Sequence, residues 1–145
     1  TTMYRQTMFA EFEAIAHDLA EKGQPLSAEL LSEKYYELNK KYYGKEVVHN
    51  EQIKYEWSRI PHFYRAFYVY KYATGIISAI SIAQKILKEG APAVKKYKQF
   101  LSMGCSADPV GELKVAGVDL TTSEPFEIVA KSFKETLEEL KSLCK

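Results

Sequence analysis

The sequence predicts an all-α fold of about six or seven helices, and three observations support this prediction. Apolar residues recur at steps of three and four in most segments, whereas no stretch alternates with a period of two for long enough to form a strand. Glycines and prolines separate these periodic segments at intervals that suit helices. Residues 62–89 are the most apolar segment, so we expect them to form a central helix around which the others pack.

The first two predicted helices each have one apolar stripe. The first stripe consists of Tyr4, Met8, Phe12, Ile15 and Leu19. Charged residues of the same helix are expected to face elsewhere, namely Arg5, Glu11, Glu13 and Asp18. Gly23 is expected to end this helix, Ser27 to cap the second and Gly44 to end it. The second stripe consists of Leu31, Tyr35, Leu38 and Tyr42.

The later boundaries follow the same signals. Asn50 is the expected N-cap of a third helix, which Pro61 ends. Gly75 within the central helix predicts the close approach of another backbone. Gly90, Gly104 and Gly117 are expected to end the following helices, and Asp108-Pro109 is expected to begin one. The inward residues of the helix after Gly90 are predicted to be Val94, Tyr97 and Leu101. The last helix carries Phe126, Ala130, Phe133, Leu137 and Leu140.

Length and charge limit the class of protein. A chain of 145 residues is long enough for one domain with a sizeable core, so a single helical domain over residues 1–145 is predicted. Twenty basic and nineteen acidic side chains nearly cancel, which disfavours nucleic acid as a partner. Two cysteines without CxxC spacing indicate a reducing compartment. No apolar run is long enough to span a membrane, and we therefore predict a cytoplasmic protein.

The motifs of several enzyme classes are missing from this sequence. It contains no HExxH, no GxxxxGK[ST] and no GxGxxG. The histidines are His17, His49 and His62, too far apart in sequence to indicate a zinc site, and His17 is expected at the surface. By motifs alone, the chain cannot be called a complete enzyme.

A row of tyrosines follows His62. On a helix, Tyr64, Tyr68 and Tyr72 would share one face, and Tyr70 would point nearly the opposite way. Hydroxyls and an imidazole in this arrangement could stabilise an oxyanion on a peptide carbonyl. The other interpretation, which the pattern by itself favours, is that they are helix-packing residues whose hydroxyls lie at the edge of the domain. The pattern leaves both interpretations open.

Several blocks of sequence resemble one family. Arg59-Ile-Pro-His-Phe-Tyr64 and Phe67-Tyr-Val-Tyr-Lys-Tyr-Ala-Thr-Gly75 are similar to the C-terminal catalytic region of oligoendopeptidase F, a group of zinc peptidases related to thimet oligopeptidase. Further blocks agree in the same order, and they are residues 2–13, 35–44, 55–57, 100–104 and 113–121. The resemblance therefore covers nearly the whole chain.

The resemblance implies a helical peptidase in which HExxH and a downstream glutamate hold zinc. This chain has neither, so it is expected to be a C-terminal fragment that holds no catalytic zinc and is inactive alone. His62 matches the family's histidine near the scissile carbonyl, and Tyr68 and Tyr72 match its tyrosines at the substrate. Tyr64 and Tyr70 are further candidates for substrate binding.

The expected partners follow from the same resemblance. They are an oligopeptide substrate and the remainder of the peptidase chain. Apolar surface left uncovered in the fragment is expected to cause self-association. The alternative is a stand-alone helical interaction module without catalytic activity, which would use exposed aromatic residues to bind a partner helix or peptide.

Overall fold

The computed structural model describes residues 1–144, and these residues have an all-α architecture without strands, as the sequence predicts. There are six α-helices: α1 (Thr2–Glu21), α2 (Ala28–Tyr43), α3 (Tyr70–Glu89), α4 (Ala91–Met103), α5 (Pro109–Val115) and α6 (Glu124–Leu143). Two 3-10 segments, Glu51–Arg59 and Pro61–Tyr64, lie between α2 and α3. The chain divides into two compact units, Thr1–Ala73 and Thr74–Lys145. The single domain over residues 1–145 stays a prediction.

Most helix boundaries confirm the capping signals in the sequence. Ser27 Oγ accepts a hydrogen bond from the Leu30 amide at 3.2 Å, and Asp108 Oδ1 accepts one from the Gly111 amide at 2.9 Å. Each bond satisfies an amide that would otherwise lack a partner in the first turn of its helix. Gly44 ends α2 with φ 75°, a conformation that glycine adopts without steric cost.

An aromatic core holds the first unit together. Its buried members are Met8, Phe9, Phe12, Tyr35, Leu38, Ile60 and Val69, with Trp57 and Phe63 packed against them. The Phe12 ring lies 5.3 Å from that of Tyr35 and 5.1 Å from that of Phe63, which joins α1, α2 and the second 3-10 segment. Such aromatic pairs stabilise a core beyond the area they bury. The chain on either side of Pro61 is therefore fixed against α1.

Two charged residues of α1 lie differently from the prediction. Glu13 is only 5% exposed, although it was expected to face away from the apolar stripe. The reason is helical spacing, because Glu13 follows the buried Phe9 by four residues and shares its face. Arg5 is likewise partly buried, and its guanidinium forms an ion pair of 2.6 Å with Glu56.

The predicted central helix over residues 62–89 is wrong at its start. Residues 61–64 form a 3-10 turn, in which the Phe63 amide donates to the Ile60 carbonyl and the Arg65 amide to the His62 carbonyl. Phe67 then has φ 56°, which a right-handed helix cannot contain. The α-helix consequently begins at Tyr70. The predicted third helix, after Asn50, is a 3-10 segment over Glu51–Arg59.

The second unit has a smaller core. Ile82, Ala116 and Val118 are buried in it, with Ile86, Tyr97, Phe100, Leu113 and Leu120 packed around them. Tyr97 is inward as predicted, but Leu101 is 60% exposed, because Phe100 takes the core position in the last turns of α4. The predicted close approach at Gly75 is also wrong, since a Cβ atom there would meet nothing within 4 Å.

Two helices of the second unit have apolar faces that the described residues leave exposed. On α3, Ile77 and Ile82 are buried, whereas Ile76, Ala79 and Ala83 lie on the exposed side. On α6, Val129 is buried. The exposed apolar residues of this helix include Phe126, Leu137 and Leu140, which we call the α6 apolar face. Among the described residues, no helix has the length and apolar character needed to cross a membrane.

Candidate functional site

His62, Tyr68 and Tyr72 meet at one edge of the first unit. His62 Nε2 lies 3.4 Å from the Tyr72 hydroxyl, which lies 3.4 Å from the Tyr68 hydroxyl. The His62 ring is stacked on Tyr68 at 5.4 Å between centroids, and the Tyr72 ring stands edge-on to it at 5.8 Å. We call these residues the His62 cluster. All three side chains are at least partly exposed, so their polar atoms can be reached by a ligand.

The local sequence explains why these side chains converge. Ile60 is extended (φ −92°, ψ 104°), as expected before a proline, and Pro61 opens the 3-10 turn that carries His62. The buried Val69 anchors the far side, where its carbonyl accepts the Tyr72 amide hydrogen at 3.2 Å. The predicted alignment of Tyr64, Tyr68 and Tyr72 on one helix face is wrong, because only Tyr72 lies in α3. A turn brings the cluster together.

The hydrogen bonds of the cluster have a direction. Tyr72 donates to Tyr68, so the hydroxyl hydrogen of Tyr68 is left for an acceptor outside the cluster. This hydrogen bond raises the pKa of Tyr72 further above neutral pH, where a phenol with the ordinary pKa of 10.0 is already protonated. At 3.4 Å, the two contacts are longer than an ordinary O–H···O bond of about 2.7–2.8 Å. The three polar groups are thus close together, but the hydrogen bonds between them are weak.

A shallow cavity of about 260 Å³ adjoins the cluster. It is lined by Pro61, His62, Arg65 and Tyr68. Arg65 adds a permanent positive charge to the imidazole and the phenol. This combination of donors suits a ligand that presents a carbonyl or carboxylate oxygen.

Comparison with known proteins decides the family. A sequence profile of Peptidase family M3 matches residues 1–131. The chain belongs to peptidase family M3. No finding favours the alternative of a non-catalytic interaction module.

Individual members of the family agree over nearly the whole chain. The chain is 53% identical over 142 residues to oligopeptidase PepF of Bacillus subtilis, and the match covers 98% of this chain and 21% of that protein. It is 40% identical to the chromosomal oligoendopeptidase F of Lactococcus lactis, covering 98% of this chain and 24% of that one. The crystal structure of oligoendopeptidase-F from Enterococcus faecium matches 99% of this chain and 27% of its own, with a TM-score of 0.94 and 46% identity. The chain therefore spans about a quarter of the length of the curated relatives it matches.

The remaining tyrosines of this M3 chain lie outside the His62 cluster. The Tyr64 ring is 76% exposed, and its hydroxyl donates to the Ser58 carbonyl at 3.1 Å. Tyr70 is the first residue of α3 and is about half exposed. Their roles in substrate binding stay predictions.

The described part of the M3 chain offers no site for the zinc ion that the resemblance implies. Within residues 1–144, no group of three or more His, Cys, Asp or Glu side chains could hold a metal ion. The His49 nitrogens lie 2.8 Å from Asn39 Oδ1 and from the Gly44 carbonyl, so its ring serves the fold. The His17 ring packs against Phe67 at 4.5 Å. These residues do not fit a zinc centre.

Sequence reasoning missed three residues around the His62 cluster. Phe67 has a left-handed backbone, which is rare for a bulky side chain, and nothing in the local sequence signals it. Glu13 accepts a hydrogen bond from the Phe67 amide at 2.7 Å. Its four-residue spacing from Phe9 could have indicated burial. Arg65 lines the cavity, but an arginine in a polar stretch carries no distinctive signal.

Proposed function

We propose that the intact protein is a zinc-dependent endopeptidase that hydrolyses peptide bonds in oligopeptides, and that this chain supplies one wall of its substrate site. The observation that carries this proposal is the His62 cluster, three donors that converge on one exposed edge. Membership of peptidase family M3 supports it, as do relatives named as oligopeptidases and oligoendopeptidases.

The cluster would act on the carbonyl group of the scissile peptide bond. Attack on that carbon places negative charge on the oxygen, and donors aimed at this charge lower the barrier. Tyr68 is the leading donor. Its hydroxyl oxygen accepts the hydrogen bond from Tyr72, so the hydroxyl hydrogen of Tyr68 is available to the substrate. His62 and Tyr72 complete the wall, and hydrogen bonds in such a chain strengthen one another. Tyr64 and Tyr70 would contact the substrate on either side.

The zinc ion would need ligands from parts of the intact protein outside this chain. We place the chain after the metal-binding motif, in the C-terminal region, because the sequence blocks around His62 resemble that region and HExxH is missing here. The remainder of the peptidase would also cover the exposed faces of α3 and α6. The proposed compartment is the cytoplasm, because the two cysteines form no disulfide framework.

Kinetics of the intact enzyme test this function. Tyr68→Phe removes one hydroxyl and is expected to lower kcat for a quenched oligopeptide by about 10²–10³-fold, the usual effect of losing one oxyanion donor. His62→Ala is expected to give a loss of similar size. KM should change far less than kcat, since the interaction forms mainly in the transition state.

The control is Tyr55→Phe, which removes a hydroxyl from a tyrosine that is 56% exposed and belongs to neither the cluster nor its cavity. It should leave kcat unchanged. The isolated 145-residue chain should give no turnover. Turnover by that chain that persists in the presence of a chelator, or full activity of Tyr68→Phe, would refute the proposal.

A further inference from the structure

Phe67 has a strained backbone directly before Tyr68. Its φ of 56° is the one positive value at a non-glycine residue between residues 1 and 144. A bulky side chain adopts this conformation at a steric cost, so surrounding contacts must hold it. Its own side chain is 52% exposed and gains little from burial. The restraint must come largely from elsewhere.

Glu13 provides a restraint on the Phe67 backbone. The carboxylate, on α1, accepts a hydrogen bond from the Phe67 amide with 2.7 Å between Oε1 and N. Glu13 is 5% exposed and forms no ion pair with any described residue, whereas its neighbour Glu11 is paired with Lys41. A buried carboxylate without a cation is costly unless its hydrogen bonds compensate. The Phe67 amide is such a partner.

His17 contacts the side chain of Phe67. It lies one turn after Glu13 on α1, and its ring centroid is 4.5 Å from that of Phe67. Backbone and side chain of Phe67 are therefore both bound to α1. In a β or right-handed conformation, the residue would send the following chain in another direction. Tyr68 is the next residue, so its ring would leave His62.

We infer that Glu13 is a positioning residue: its hydrogen bond to the Phe67 amide fixes the turn that presents Tyr68 to His62 and Tyr72. This inference rests on the proposed function of the His62 cluster. Glu13 itself contacts neither substrate nor reacting atoms. It acts through the backbone, across a sequence separation of 54 residues.

A double-mutant cycle in the intact peptidase tests this inference. Glu13→Ala is expected to lower kcat by about tenfold, since misplacing a catalytic group by a fraction of an ångström has an effect of this order. In the Tyr68→Phe background, the same substitution should change kcat less than about twofold, because the hydroxyl it positions is already gone. Glu13→Gln retains a carbonyl acceptor and should restore most of the activity.

Glu11→Ala is the matched control, a second glutamate of α1 whose partners are Lys41 and Tyr42. It should leave kcat unchanged in both backgrounds. Where Glu13→Ala does not fold, Glu13→Asp withdraws the carboxylate by one methylene and should show the same dependence on Tyr68. An equal loss in both backgrounds overturns the inference. A Tyr68→Phe enzyme with full kcat would instead refute the proposed function of the cluster.

Discussion

Glu56 connects three elements of the first unit through one carboxylate. Its Oε1 accepts from Arg5 at 2.6 Å and from Arg59 at 2.5 Å, and its Oε2 accepts from the Tyr35 hydroxyl at 2.6 Å. Burial opposes ionisation, but the hydrogen bonds from Arg5 and Tyr35 outweigh it and lower the pKa of Glu56. Burial and the bond to Glu56 raise the pKa of Tyr35, which stays a donor. The network fixes the segment that leads into Pro61.

Removing this carboxylate should destabilise the fold. We expect Glu56→Ala to lower the free energy of unfolding by about 3 kcal/mol, because it leaves Arg5 and the buried Tyr35 hydroxyl without their acceptor. Glu51→Ala, in the same 3-10 segment, removes a carboxylate that is 82% exposed and should cost less than about 0.5 kcal/mol. Urea denaturation of both variants makes the comparison. Equal losses would contradict the role assigned to the network.

The same carboxylate predicts sensitivity to acid. A group whose pKa is lowered by folding stabilises the protein fully above its ordinary value of 4.5, and this contribution is lost as the pH falls through the folded-state pKa. The free energy of unfolding should therefore decline as the pH drops below about 4.5. Glu56→Gln cannot be protonated in this way and should show a shallower decline. The measurement is the urea midpoint of the wild type and of Glu56→Gln as the pH is lowered through about 4.5. Identical declines of the two midpoints with pH would exclude Glu56 as a cause of the acid sensitivity.

At the scale of elements, local signals fixed some boundaries and not others. Ser27 and Asp108 are N-cap residues that the sequence identifies by residue type, and α2 and α5 begin directly after them, as predicted. The break before α3 depends on Phe67 and on Glu13, which are 54 residues apart, and no local pattern contains that contact. The helical spacing of the tyrosines runs through Tyr64 and Tyr68 without a sign of this break. The sequence therefore predicted too early a start for α3, which begins at Tyr70.

The site shows the same division between local and distant causes. Tyrosine spacing and family resemblance pointed to His62, Tyr68 and Tyr72, and the structure brings these residues together. The predicted helix face was the wrong reason, because Tyr68 reaches the cluster through a turn. Pro61 was readable as the corner, since a proline restricts both itself and the residue before it. The hydrogen bond from the Phe67 amide to the Glu13 carboxylate became visible only in the tertiary structure.

At the scale of the molecule, the exposed apolar faces agree with a chain that spans about a quarter of its relatives. The α6 apolar face includes Leu137 and Leu140, which follow Phe126 at helical spacing and remain exposed. In water, such a stripe on a helix favours association with another apolar surface. An α3 cavity of about 430 Å³, lined mainly by apolar side chains, adds a second uncovered surface.

The isolated 145-residue chain should therefore self-associate. Sedimentation velocity is expected to show oligomers that grow with concentration, because burying these faces removes apolar area from water. Introducing charge with Leu137→Glu and Leu140→Glu should shift the chain towards monomer. Ser142→Glu is the control, because it adds one such charge on the side of α6 opposite Leu140, at an exposed residue whose hydroxyl donates to the Glu139 carbonyl. A strictly monomeric chain at high concentration, or an equal effect of the control, would show that these faces do not drive association.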